Sequence, residues 1–130
     1  MKQNIKYIGM VHSSLKSIEE CPLQESENAP KATIEVFPEF QEATKDLKVG
    51  DQILLFTWLH KADREILSCK PRNDESAALT GIFSTRSPDR PNPIGIHSTK
   101  ILSISNNGTI EVSRLEVIDN TPIIDIKPIL

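Results

Sequence analysis

Ile94 to Leu115 reads IGIHSTKILSISNNGTIEVSRL, and this stretch decides the fold. Two strand-like segments, Ile94–Ser105 and Thr109–Leu115, flank Asn106-Asn107-Gly108. Asn-Gly supplies the positive φ angles of a tight turn, so the stretch predicts an antiparallel hairpin. Working outward, Pro122 to Lys127 predicts one further strand and Gly81-Ile82-Phe83-Ser84 a short one. Gln52 to His60 is almost continuously apolar through Ile53-Leu54-Leu55-Phe56-Thr57-Trp58-Leu59. Such a run after the Val49-Gly50-Asp51 turn signal reads as the most buried strand of the sheet.

Ile5 to His12 alternates, with Ile8 and Met10 on one side and Tyr7 and Val11 on the other, and predicts an opening strand. Ala32 to Phe37 predicts another, carried by Thr33, Ile34 and Val36. Pro38 then opens the one convincing helix, because proline suits a first helical position. Phe40, Ala43 and Leu47 share its apolar face. Ser13 to Lys31 is polar, contains Pro22 and Pro30, and reads as a long loop that is either mobile or functional. Asp63 to Ser76 is charged, with Ile66 and Leu67 starting a short strand. Roughly six or seven strands and one helix argue for a closed sheet, because closure removes exposed edges. The expected fold is mainly β: an antiparallel β-barrel with one short helix and a long N-terminal loop, formed by residues 1–130 as one domain.

The composition narrows the function. A net charge of -3 gives no basic footprint, so an RNA substrate requires a local patch, an oligomer seam or a partner to supply positive field. No apolar run is long enough to span a membrane, and the start turns polar too soon for a signal peptide. The cytoplasm is the expected compartment, where Cys21 and Cys69 read as free thiols. Scattered glycines exclude a Gly-x-Gly-x-x-Gly turn and a Walker loop. His12, His60 and His97 share no ligand spacing, so no metal site is expected.

What remains is Thr85-Arg86-Ser87-Pro88-Asp89-Arg90-Pro91-Asn92-Pro93-Ile94-Gly95. Each of the prolines fixes its own φ and pushes Ser87, Arg90 or Asn92 toward extended backbone. A segment stiffened in this way presents Arg86 and Arg90 with little ordering cost on binding. Two arginines four apart suit planar recognition of carboxylate or phosphate. Equally, the segment is a rigid connector whose arginines pair with surface acids.

Residues 81–95 also resemble the signature of the TsaA-like, TrmO-type family of S-adenosylmethionine-dependent tRNA methyltransferases. Tyr7–Val11, Trp58–Arg64 and Leu115–Pro128 agree with that family in order, so the resemblance spans nearly the whole chain. It implies a β-barrel methyltransferase that uses S-adenosylmethionine without a Rossmann fold, works as a homodimer and needs no metal. The implied reaction methylates N6 of threonylcarbamoyl-adenosine in tRNA. The cofactor contacts that it implies are Pro22, Gln24, Leu59, His60, Arg86, Ile96, Glu116, Val117, Ile118 and Asp119. Arg90 and Asp119 are the candidate catalytic residues, Arg90 for a substrate phosphate or a subunit seam and Asp119 for a proton.

Each position also has a plainer reading. Asp119 is a cofactor acceptor or a turn acid before Thr121-Pro122, and His60 a ligand partner or a satisfied strand-end histidine. Trp58 stacks adenine or packs the core; Lys61, Asp63 and Arg64 form a solvated face or approach RNA. The sequence departs from the family pattern at Leu23, at His12-Ser13-Ser14, and at Asn120, which stands where the pattern has glycine. The resemblance stops at Leu130, where TrmO-type proteins continue into a further small domain. A non-catalytic module that binds S-adenosylmethionine or a nucleotide is therefore the alternative function.

Overall fold

The computed structural model describes residues 3–16, 30–71 and 74–130. Cys21, Pro22, Gln24 and most of the predicted N-terminal loop lie outside the described residues. In chain order the strands are β1 (Gly9–His12), β2 (Ala32–Val36), β3 (Gln52–Trp58), β4 (Ser68–Cys69), β5 (Thr80–Gly81), β6 (Ile94–Ile104), β7 (Thr109–Val112) and β8 (Pro122–Pro128). Six of them close into a barrel in the order β1-β2-β7-β6-β3-β8, while β4 and β5 pair as a separate ribbon. Every pairing is antiparallel. The predicted mainly β barrel is the fold observed.

The barrel is held by one dry interior. Val11, Ile34, Leu55, Ile101, Ile110, Val112 and Ile123 come from all six staves and are essentially fully buried. Each such side chain contributes about 1.5–3 kcal/mol relative to exposure. Along β3 the buried residues are Ile53, Leu55 and Thr57, alternating with half-buried Leu54, Phe56 and Trp58. The run expected to be the most buried strand is thus fully buried on one face and half-buried on the other. A barrel wall has one dry face, and the outward Phe56 and Trp58 instead pair with Ile96 and Ile94 of β6 in an apolar outer strip.

Other boundaries shift for local reasons. β1 begins at Gly9, and Ile5 and Tyr7 are exposed. The predicted helix is a 3-10 helix over Pro38–Thr44, with Phe40 N–H donating to the Phe37 carbonyl. Phe40 and Leu47 pack on the core while Ala43 faces solvent. The short strand expected at Gly81 is Thr80–Gly81, after which Ile82–Ser84 curls into a 3-10 turn. The one expected from Ile66 forms at Ser68–Cys69.

The hairpin is present, but its turn has a different geometry. Ser105 N–H donates to the Thr109 carbonyl, which leaves a three-residue loop. Gly108 has φ +85°, whereas Asn107 is not among the positive-φ residues. A turn closed by one left-handed glycine is the three-residue alternative to a type I′ turn.

Asn120 is the one described non-glycine residue at positive φ, at 68°. Asparagine tolerates this region better than most residues, which explains its place at a position patterned for glycine. Asn120→Gly is expected to leave stability unchanged or slightly raised. Asn120→Val is expected to lose about 1–2 kcal/mol, the cost of a left-handed L-residue. Urea denaturation midpoints of the two variants check this.

Candidate functional site at one rim of the barrel

Register alone gathers most of the sequence-predicted site at one end. Trp58 at the end of β3 pairs with Ile94 at the start of β6, and Thr57 pairs with Ile123 near the start of β8. Met10 of β1 pairs with Pro122 in turn. Leu59 and His60, the 85–93 segment, Glu116–Asp119 and the residues after β1 thus all leave the barrel at this rim. The chain from β7 to β8 crosses it with Leu115, Val117 and Ile118 buried. Val117 and Ile118 therefore plug the barrel end, while Glu116 and Asp119 remain partly accessible.

The stiff segment is organised by Arg90. Its Nη1 donates to the carbonyls of Thr85 and Ser87, each at 3.0 Å, and its Nη2 to that of Ile82 at 3.3 Å. Thr85 Oγ1 also donates to the Ile82 carbonyl at 2.8 Å, and Asp89 N–H donates to Ser87 Oγ at 3.2 Å. A half-buried guanidinium satisfying three carbonyls shapes the loop that carries Arg86. Arg86 itself is exposed, and Leu59 N–H ties the segment to β3 through the Pro93 carbonyl at 2.8 Å.

Arg64, for which sequence offers only a solvated face or an approach to RNA, bridges the same parts. Its Nε donates to the Pro91 carbonyl at 2.7 Å and its Nη2 to Asn92 Oδ1 at 3.2 Å. Its guanidinium lies 5.1 Å from the centroid of Trp58. One face of the indole is thus occupied by Arg64, which explains Trp58 better than adenine stacking on that face. Beside it, desolvation and then the charge of Lys61 hold the His60 pKa below the usual histidine value. His60 is accordingly neutral at neutral pH.

Asp119 faces the residues after β1. Its Oδ1 accepts from Ser13 N–H at 2.9 Å and its Oδ2 from Lys16 Nζ at 3.0 Å. Asp119 N–H donates to the Leu15 carbonyl at 2.7 Å. The Ser13 amide bond, followed by the Lys16 bond, holds its carboxyl below the ordinary 3.8. A carboxylate held low is a weak base, so its geometry suits charge recognition or anchoring rather than proton removal. It lines a shallow cavity of about 390 Å³ with His12, Lys16, Lys31, Thr33 and Glu111.

That cavity lies on the β1-β2-β7 side of the ring, whereas Ile96 lies on the outer wall at β6 beside β3. The structure thus brings Leu59, His60 and the Arg86 segment to the β3–β6 mouth and sets Asp119 toward β1.

Because the folded-state pKa of Asp119 is lowered, its anchor stabilises the fold above the unfolded-state value. That contribution is lost as pH falls through the folded-state value. Asp119→Asn keeps an acceptor for Ser13 but loses the charge facing Lys16. It is expected to lower stability by about 0.5–1 kcal/mol at neutral pH. The gap should close in acid strong enough to protonate the wild-type carboxylate, as denaturation midpoints at the two pH values check.

With this geometry in place, the chain matches the tRNA-methyltransferase O N-terminal domain over residues 10–130. The chain belongs to this family. A "Probable S-adenosyl-L-methionine-binding protein" of Methanothermobacter thermautotrophicus is 34% identical over 98% of this chain and 90% of its own length. A protein of the same name from Archaeoglobus fulgidus is also 34% identical over 98% of this chain, which spans only 34% of that relative. The crystal structure of TrmO from Pseudomonas aeruginosa superposes on the whole chain with a TM-score of 0.77 at 27% identity, and the chain spans 57% of it. The 81–95 signature, the rim and the barrel are thus features of a TrmO-family domain.

Proposed function

We propose that this chain is the barrel domain, residues 1–130, of an S-adenosylmethionine-dependent methyltransferase that acts on N6 of threonylcarbamoyl-adenosine in tRNA. The observation that carries this reading is membership of the TrmO family across residues 10–130, joined to the Arg90-braced loop at the barrel rim. The donor set suits the cofactor's groups. Arg86 offers an exposed guanidinium for a carboxylate, and Asp119, set toward β1, a charged acceptor for a ribose hydroxyl. Leu59 and Ile96 offer apolar surface for an adenine, and neutral His60 a hydrogen-bonding ring. Glu116 to Ile118 would contribute backbone groups at the rim, with Pro22 and Gln24 completing the contacts.

Bound S-adenosylmethionine supplies an electrophilic methyl group on a cationic sulfur. The chain's own residues then act by orientation: Arg86 holds one end of the guest, and Arg90 keeps the loop in shape. The wall at Leu59 and Ile96 excludes water on one side. Methyl transfer needs an in-line approach, so most of the acceleration comes from such positioning.

The assembly in this reading is a homodimer. The outward strip of Phe56, Trp58, Ile94 and Ile96 favours it, with Ile94 45% and Ile96 39% exposed. Sedimentation equilibrium giving a monomer at micromolar concentration would remove it. Since the net charge is -3, the field that attracts tRNA arises from such a seam, from a local patch or from a partner.

The test is incubation of the protein with labelled S-adenosylmethionine and tRNA that carries threonylcarbamoyl-adenosine without the methyl mark. Transfer of label to that nucleoside is the expected result. Cofactor binding without transfer supports the second reading, a non-catalytic S-adenosylmethionine-binding module. The names of the archaeal relatives favour that reading. Absence of cofactor binding overturns both.

A further inference from the structure

We infer that Arg64 is a positioning residue for the proposed cofactor site, holding the proline-rich segment against the end of β3. Its effect on ligand binding rests on the S-adenosylmethionine reading above; its effect on the loop does not. Prolines stiffen Pro88–Pro93 internally, but a stiff segment still requires attachment to the barrel. Arg64 supplies that attachment at three points: the Pro91 carbonyl, Asn92 Oδ1 and the Trp58 ring.

The three contacts use different parts of one planar group. The guanidinium lies over the indole, while Nε and Nη2 donate outward to the loop. Trp58 is itself fixed, because β3 pairs it with Ile94. The neighbouring residue joins the same clamp: Asp63 N–H donates to Asp89 Oδ1 at 2.8 Å. The turn after β3 and the loop before β6 are therefore locked on either side of the Leu59–Pro93 bond. Arg64 is exposed, so the clamp lies outside the barrel core, and the barrel does not depend on it. A lysine presents a point charge in place of a planar fork, and it cannot stack and donate in both directions at once.

The test compares Arg64→Ala and Arg64→Lys with wild type by amide hydrogen exchange and by calorimetry with S-adenosylmethionine. In Arg64→Ala, the amides of Asp63, Asp89 and Ile94 are expected to exchange about tenfold faster or more, with β2 and β7 amides unchanged. Affinity for S-adenosylmethionine is expected to fall about tenfold or more, and Arg64→Lys is expected to restore neither property.

Unchanged loop exchange in Arg64→Ala overturns the proposal, as does full rescue by lysine. If the loop loosens while affinity stays at the wild-type value, the role at the cofactor site is overturned. A wild-type protein that binds no S-adenosylmethionine while Arg64→Ala loosens the loop defeats the cofactor reading and leaves the clamp standing.

Discussion

Gly95→Ala is expected to destabilise the barrel by about 2–5 kcal/mol, a large part of the roughly 5–15 kcal/mol that holds a small domain. A β-carbon there would stand 2.6 Å from Thr57 Oγ1 and 2.7 Å from His97 Nε2. These two atoms are hydrogen bonded at 2.9 Å inside the barrel, where Thr57 is fully buried and His97 nearly so. The added methyl must displace one partner. Overpacking costs about 1–3 kcal/mol, and a buried polar group that loses its bond costs about as much again. Gly81→Ala is the control, because nothing lies within 4 Å of the point its new methyl would occupy and its φ of -58° is ordinary. Urea denaturation of the pair checks the contrast; equal midpoints would mean that the Thr57–His97 pair yields without cost.

The second large effect is on ligand affinity. Arg86→Ala is expected to weaken S-adenosylmethionine binding by about 1.5–3 kcal/mol, the value of a charge-assisted bond, without changing barrel stability. The side chain is exposed on a loop whose shape is set by other residues, so its removal subtracts a contact and little else. Arg90→Ala should behave differently. It releases three carbonyls that hold the turn, so binding weakens together with loss of amide protection around Thr85. Calorimetry and hydrogen exchange on both variants separate the two roles. An Arg86→Ala variant with wild-type affinity would place the carboxylate of the guest elsewhere.

The barrel is legible in the sequence because its signals are local. Asn106-Asn107-Gly108 marks the hairpin, whereas the inward face of β6 is hidden, because Gly95, His97, Thr99 and Ile101 point inward while the apolar Ile94 and Ile96 point out. That Leu54, Phe56 and Trp58 are only half-buried has a physical cause that the run itself does not reveal. A continuous apolar run arises either from two dry faces or from one dry face and one sticky one, and composition does not separate these. The 3-10 form of Pro38–Thr44 is also hidden, since a Pro start and an apolar spacing serve both helix types.

The site is legible as a segment and not as a set of bonds. Prolines at 88, 91 and 93 announce a stiff loop. That Arg90 turns inward to carbonyls while Arg86 faces water depends on the curl at Ile82–Ser84, where the sequence pattern predicts a strand. Asp119 meets Ser13 across 106 positions, and Arg64 meets Pro91 across 27, so neither contact leaves a mark in local spacing. In sequence, Gly95 suits a bend or close approach by backbone. In the structure it makes room for a buried His–Thr pair instead.

A rim loop, braced from within by Arg90, receives an adenosyl guest through Arg86 in the function proposed above. A crystal structure of the protein grown with S-adenosylmethionine tests this most directly. The expected result is ligand density against Arg86, His60 and Ile96, with the 85–93 segment keeping its Arg90-braced shape. Density confined to the cavity between His12, Lys31 and Asp119, with Arg86 turned to bulk water, would contradict it.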